Sequence, residues 1–115
     1  MKGLLLKSSG EITVQEFEQP LIDSLHSAVG GFVEVVTCRH LLCDYRLVVN
    51  DEFLIYDLPF NQAASYLYGF SQHGNPILGD AVIMRMGMIC GEPDLTGLDV
   101  DDILFLHQCL NIFVA

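Results

Sequence analysis

Glu34 and Asp80 are the residues whose setting in this chain asks for chemistry. Each is a carboxylate inside an apolar run, Phe32-Val33-Glu34-Val35-Val36 for the first and Ile77-Leu78-Gly79-Asp80-Ala81-Val82 for the second. Such a carboxylate faces solvent, bonds loop amides, or becomes an acid–base group when a pocket brings a second titratable residue beside it. An enzyme reading therefore rests on Glu34 and Asp80, with His73 as a third member, in a small hydrolase or transferase. The plainer reading of both carboxylates is a solvent-facing or amide-bonded position.

Cysteine and histidine supply a second option. Cys38, His40 and Cys43 lie within CRHLLC, and His107 and Cys109 lie near the C-terminus. Zinc accepts these ligand types, but the spacing matches no standard knuckle, and buried thiols with surface imidazoles are the expected state. A Cys38–His73 pair would have to be assembled by the fold, and no G-x-S-x-G elbow is present. A phosphate cradle is not encoded, because Gly30-Gly31 follows a helix instead of opening one. Any anion would depend on backbone amides and on Arg39, Arg46 or Arg85, whose plainer role is pairing with the abundant acids. No catalytic residue, metal or cofactor is assigned.

The elements that must position these residues can be read from periodicity. Lys2 to Lys7 and Glu11 to Phe17 read as a hairpin through Ser8-Ser9-Gly10. Leu21, Ile22, Leu25, Ala28 and Val29 recur on one helical face, with Pro20 at the start and Gly30 where helices finish in a left-handed residue. Residues 32–37 form a strand on which Phe32, Glu34 and Val36 share one side. Tyr45 to Val49 and Phe53 to Leu58 read as a second hairpin, with Asn50 in its turn. Asn61 caps a helix over 62–69, and residues 71–76 form a loop. Ile77 to Met86 reads as a strand interrupted at Gly79-Asp80, and Met84, Met86 and Met88 read as strand packing. Residues 92–102 read as an acidic loop, in which Thr96 and Asp99 resemble a capping box for a final helix. This order predicts one α+β domain over 1–115: a single mostly antiparallel sheet of five to six strands with two to three helices on one face.

Composition narrows the function classes. Hydrophobic residues make up 51% of the 115, which suits a folded core. A net charge of −10, from 15 acidic and 5 basic residues, disfavours direct binding of nucleic acid or anionic membrane. The start MKGLLLKSS lacks a signal-peptide core, and no apolar run spans a bilayer, so a cytoplasmic protein with free thiols is expected.

Read together, AVGGFVEVV at 28–36, LVVNDEF at 47–53, LPFNQAA at 58–64 and ILGDAVI at 77–83 resemble a family of small phage, plasmid and bacterial proteins known as a domain of unknown function, number 3846. The resemblance extends to about Ile103 through Leu95-Thr96-Gly97-Leu98-Asp99. Its pattern falls on Gly30, Gly31, Glu34, Asn50, Pro59, Asn61, Gly79 and Asp80. The resemblance implies a mobile-element origin and an intracellular setting, and it implies no reaction. Glu34, Asn50 and Asp80 are expected to line one concavity; with Asn61, Gly30, Gly31, Gly79 and Arg46 they make the candidate ligand- or partner-binding set.

The reading that follows is a non-enzymatic accessory protein of a phage or mobile element. It would inhibit or sequester a host-defence component in the host cytoplasm. The partner is a host protein or a small nucleotide-like ligand, and a basic protein suits the charge better. An acidic DNA mimic is one version of this reading. The alternatives are the small enzyme described above and a structural or assembly factor. The apolar ending LNIFVA suggests a homo-oligomer.

Overall fold

The structure, a computed structural model, describes residues 1–38, 44–51, 58–69 and 76–114. Strands β1 (Lys2–Leu6) and β2 (Ile12–Glu16) form the expected hairpin, followed by helix α1 (Leu21–Val29) and strand β3 (Val33–Thr37). Then come β4 (Tyr45–Asn50), α2 (Gln62–Tyr68), β5 (Ala81–Ile89), β6 (Glu92–Thr96) and α3 (Val100–Val114). Among the described residues six strands make one sheet, with the order β2-β1-β5-β4-β3 along its main path, and every pairing described is antiparallel. β6 pairs with the second half of β5, so it continues the line of β1. The Leu98 N–H donates to the Lys2 carbonyl where the two meet. This is the expected α+β architecture.

The helices do not all share one face. Leu4, Leu6, Leu47, Val49, Ala81 and Ile83 pack with Leu67 of α2 and with Leu106 and Leu110 of α3. Their alternate neighbours Leu5, Val48, Val82 and Met84 pack with Leu25 and Val29 of α1 on the other side. The cause is the uninterrupted apolar composition of the central strands, whose period-two alternation sends a buried side chain to each face. α1 answers the second face with Leu25 and Val29, one turn apart.

Four local expectations change. β5 begins at Ala81 rather than Ile77, because Gly79 at φ 83° breaks the line of the strand, and Leu78 makes only an isolated bridge to Phe60. Residues 92–96 are a strand, joined to β5 by a two-residue turn at Cys90-Gly91, both with positive φ, as tight hairpins require. In that hairpin Met88 is exposed, and of the methionine series only Met84 is in the core. The capping box is formed by Asp99 and Asp102, while the Thr96 hydroxyl donates to the Arg85 carbonyl. Most of the second expected strand, 53–58, lies outside the described residues, as do most of the 71–76 loop and most of the 38–44 connector.

Asn61 ties these parts together from a fully buried position. Its Oδ1 accepts the Ala64 N–H at 3.1 Å, the expected N-cap of α2. Its Nδ2 donates to the carbonyls of Leu6 and Gly79, both at 2.8 Å, at the end of β1 and the approach to β5. Ser65, also fully buried, exchanges hydrogen bonds with the backbone of Ile77. An amide has one acceptor and two donor hydrogens, and here all three functions are used. Asn61→Ala would remove the cap and strand two buried carbonyls, and is expected to cost about 3 kcal/mol, read from the urea midpoint. Asn61→Asp keeps the cap acceptor but turns a carboxylate toward two carbonyls, and should also destabilise. A loss below about 1 kcal/mol in both variants would contradict the clamp.

Candidate functional site

α1 ends as its sequence predicts. Gly30 adopts a left-handed conformation at φ 81°, and the N–H groups of Gly30 and Gly31 both donate to the His26 carbonyl. Asn50, expected in a turn, is instead the buried last residue of β4, and its Nδ2 donates to the Val29 carbonyl at 3.2 Å. A Cβ at position 31 would stand 3.0 Å from that nitrogen, so Gly31 leaves room for the side chain that ties α1 to the sheet. The Asp51 N–H donates to the Phe32 carbonyl and holds the same corner.

Beside this corner lies a pocket of about 370 Å³. One wall is the last turn of α1 from Ser27 to Gly30; the others are Ser8, Leu58-Pro59 and Gly79-Asp80. Asp80 Oδ1 accepts the Ser8 N–H at 2.9 Å, which fixes the carboxylate to the turn after β1. The Gly79 N–H donates to the Pro59 carbonyl, and a Cβ at Gly79 would lie 2.8 Å from Leu58 Cδ1. Positive φ and this contact together demand glycine there. Asp80 is the one charged residue among the described residues of the lining.

The structure brings most of the sequence-identified set together. Gly30, Pro59, Gly79 and Asp80 line the pocket, while Asn50, Gly31 and Asn61 support its walls from behind. Glu34 does not join them. Val33 pairs with Asn50 and Glu34 with Val49, so Glu34 lies on the opposite face from Asn50, exposed on the terminal strand β3. The expected concavity of Glu34, Asn50 and Asp80 is therefore not formed, and neither is a Glu34–Asp80 acid–base pair. Arg46 lies on β4 outside the lining, its Nη1 donating to the Tyr45 carbonyl at 2.9 Å.

The sulfur sites change as well. Burial pushes the Cys38 thiol up to about 12, against the opposing charge of Arg46, so it stays protonated at neutral pH. A protonated thiol is a poor nucleophile. Its proposed partners His40, Cys43 and His73, like Arg39, lie outside the described residues. Among the described residues no three His, Cys, Asp or Glu side chains gather as a metal site.

A second polar cluster escaped sequence reasoning. Asp102, 6% exposed, accepts the Tyr45 hydroxyl and Arg85 Nη1 on Oδ1, both at 2.7 Å, and the Asp99 N–H on Oδ2 at 3.1 Å. The Tyr45 ring stacks on Phe105, and the Arg85 guanidinium lies 5.9 Å from the Tyr45 ring centroid. Burial alone would raise the Asp102 pKa. The bonds from Tyr45 and Asp99 and the charge of Arg85 outweigh it and hold the carboxyl below its ordinary 3.8. The sequence signal was limited to the acids of a helix N-terminus; Tyr45 arrives from 57 residues away. With its partners inside the fold, this cluster fastens α3 to β4 and β5.

The chain matches the family described as Domain of unknown function (DUF3846) over residues 1–105. It belongs to that family. No curated protein and no solved structure matches the chain. The DUF3846 region contains the pocket and the whole Tyr45–Arg85–Asp102 cluster, and it ends within α3.

The cluster predicts a pH dependence. A carboxyl with a lowered folded pKa stabilises the protein above its unfolded value, and this contribution disappears as pH falls through the folded value. Stability from Asp102 should therefore be complete at neutral pH and decline below about pH 4. Tyr45→Phe should cost about 1.5–3 kcal/mol at pH 7 and much less near pH 2, measured by urea unfolding at both pH values. An equal cost at the two pH values would show that Asp102 does not depend on the Tyr45 hydroxyl.

Proposed function

We propose that the protein is a non-enzymatic binding protein whose partner is a basic protein. In the phage or mobile-element setting that its sequence suggests, it acts by occupying a host component, such as one of host defence, without turning over a substrate. The observation carrying this reading is the uneven use of charge. Arg85 is bonded to buried Asp102, Lys7 pairs with Glu11, and Arg46 bonds the Tyr45 carbonyl. Glu18, Asp23, Asp44, Asp51, Glu92 and Asp94 meanwhile stand exposed. With a net charge of −10, such a surface draws in cationic partners and repels phosphate.

The pocket favours a protein over a nucleotide-like ligand. It is walled by the C-terminal turn of a helix, the negative end of its dipole, and it carries a carboxylate. Both features oppose a phosphate group. No helix of the described residues is long and apolar enough to cross a membrane.

The test is capture of the host partner on the purified protein as salt rises from about 0.05 M to about 0.5 M, which shortens the screening length severalfold. A basic protein, held at low salt and released at high salt, is the expected result. Salt-insensitive capture, or a nucleotide retained on the protein in native mass spectrometry, would overturn the reading.

A further inference from the structure

The pocket at the end of α1 has features that specify its occupant more narrowly. Its volume of about 370 Å³ is enough for one long side chain and too small for a folded element. Among the described residues Asp80 is its one charged lining residue, and the other described lining residues are serine, glycine, proline and short aliphatic side chains. Ser27, Ala28 and Val29 belong to the last turn of a nine-residue helix, where backbone carbonyls give a partial negative charge. Two basic residues next in sequence to the lining are turned to other partners: Lys7 pairs with Glu11 at 3.6 Å, and His26 packs its ring edge-on against Phe32.

We infer that this pocket receives the ammonium group of a lysine side chain from the basic partner, with Asp80 as its counter-ion and the last turn of α1 as a second source of acceptors. The inference rests on the binding-protein reading above and names the contact that reading leaves open. Lysine suits the site better than arginine. Asp80 Oδ1 already accepts the Ser8 N–H, which competes with the side-on, two-point contact that a guanidinium makes best. An ammonium is a compact point charge with three donors, so it can bond one carboxylate oxygen and share its other hydrogens with carbonyls or hydroxyls. The aliphatic stem would lie along Leu58, Pro59 and Ala28, covering apolar surface while the head stays at the carboxylate.

The experiment is a titration followed through the backbone amide resonances of Ser8, Ser27, Gly30 and Gly79, using the full chain. The probe is Nα-acetyl-lysine methylamide, with the norleucine analogue, the arginine analogue, spermidine and inorganic phosphate as comparisons. Saturable shifts with the lysine compound, stronger than with the arginine analogue or spermidine and absent with norleucine, are expected. Asp80→Asn preserves an oxygen acceptor for the Ser8 N–H while removing the charge, and should weaken binding about tenfold or more, the loss of one charge-assisted hydrogen bond. Ser27→Lys, at an exposed position on the rim, should block the site without disturbing the core. Equal response to norleucine, or unchanged binding in both variants, would overturn the inference. Preference for spermidine would overturn the assignment to a protein side chain. Binding of phosphate in place of amine would overturn both this inference and the binding-protein reading. Salt-sensitive partner capture that survives Asp80→Asn would overturn the pocket as the contact while leaving that reading intact.

Discussion

The arrangement of this domain depends on one buried amide. Asn61 has no contact with water, yet its side chain must satisfy three hydrogen-bonding functions, and it does so on α2, the end of β1 and the approach to β5. A buried polar group left unpaired costs more than a typical hydrogen bond contributes, so these segments are held in a single mutual position. The consequences spread outward. Fixing Leu6 fixes the turn that follows β1, and Ser8 in that turn donates to Asp80. Fixing Gly79 sets the start of β5 and places Asp80 beside α1. The pocket is thus defined by backbone positions that answer to one side chain.

A second constraint is that β1, β4 and β5 are apolar on both sides and must be covered twice. α1 is short, but Leu25 and Val29 close the second face, and Asn50 attaches its last carbonyl to β4. α2 and α3 cover the first face, and the start of α3 is secured by Asp102 bonded to Tyr45 and Arg85. Polar groups hold the helix ends while apolar side chains fill the layers between.

Much of this was legible in the sequence because the signals are local. The span of α1, the β1–β2 hairpin, the cap at Asn61 and the stop at Gly30 all depend on residues within a few positions of one another. β6 was not legible: Glu92-Pro93-Asp94-Leu95-Thr96 has no alternation and contains a proline, and it is a strand because β5 runs beside it. A proline is tolerated there because β6 lies outside the main path of the sheet. The missed faces have the same origin. Alternation along β3 correctly separated Val33 from Glu34, but only the pairing of β3 with β4 puts Asn50 opposite Val33 and leaves Glu34 behind. Sequence gives parity within a strand; register between strands comes from the fold. Asp102 makes the point for acids: its spacing from Asp99 marks it as a capping-box partner, but its bonds to Tyr45 and Arg85 arise only from the long-range fold.

These two uses of polar residues bear on the proposed binding role. Asn50, Asn61, Ser65 and Asp102 are buried and bonded within the fold, so they rigidify it and have little left to offer a partner. Asp80 differs: it is partly buried, held by one backbone N–H, and open to a cavity. The acidic surface acts over roughly a Debye length, about 8 Å at physiological ionic strength, and cannot by itself distinguish one basic protein from another. A carboxylate fixed inside a cavity acts at contact distance and can discriminate by shape as well as charge. If both features serve one partner, the diffuse charge governs how often that partner arrives and the pocket governs how long it stays. Nothing in such a scheme needs Glu34, and its place on the far face is the cost-free consequence of an exposed position on the terminal strand.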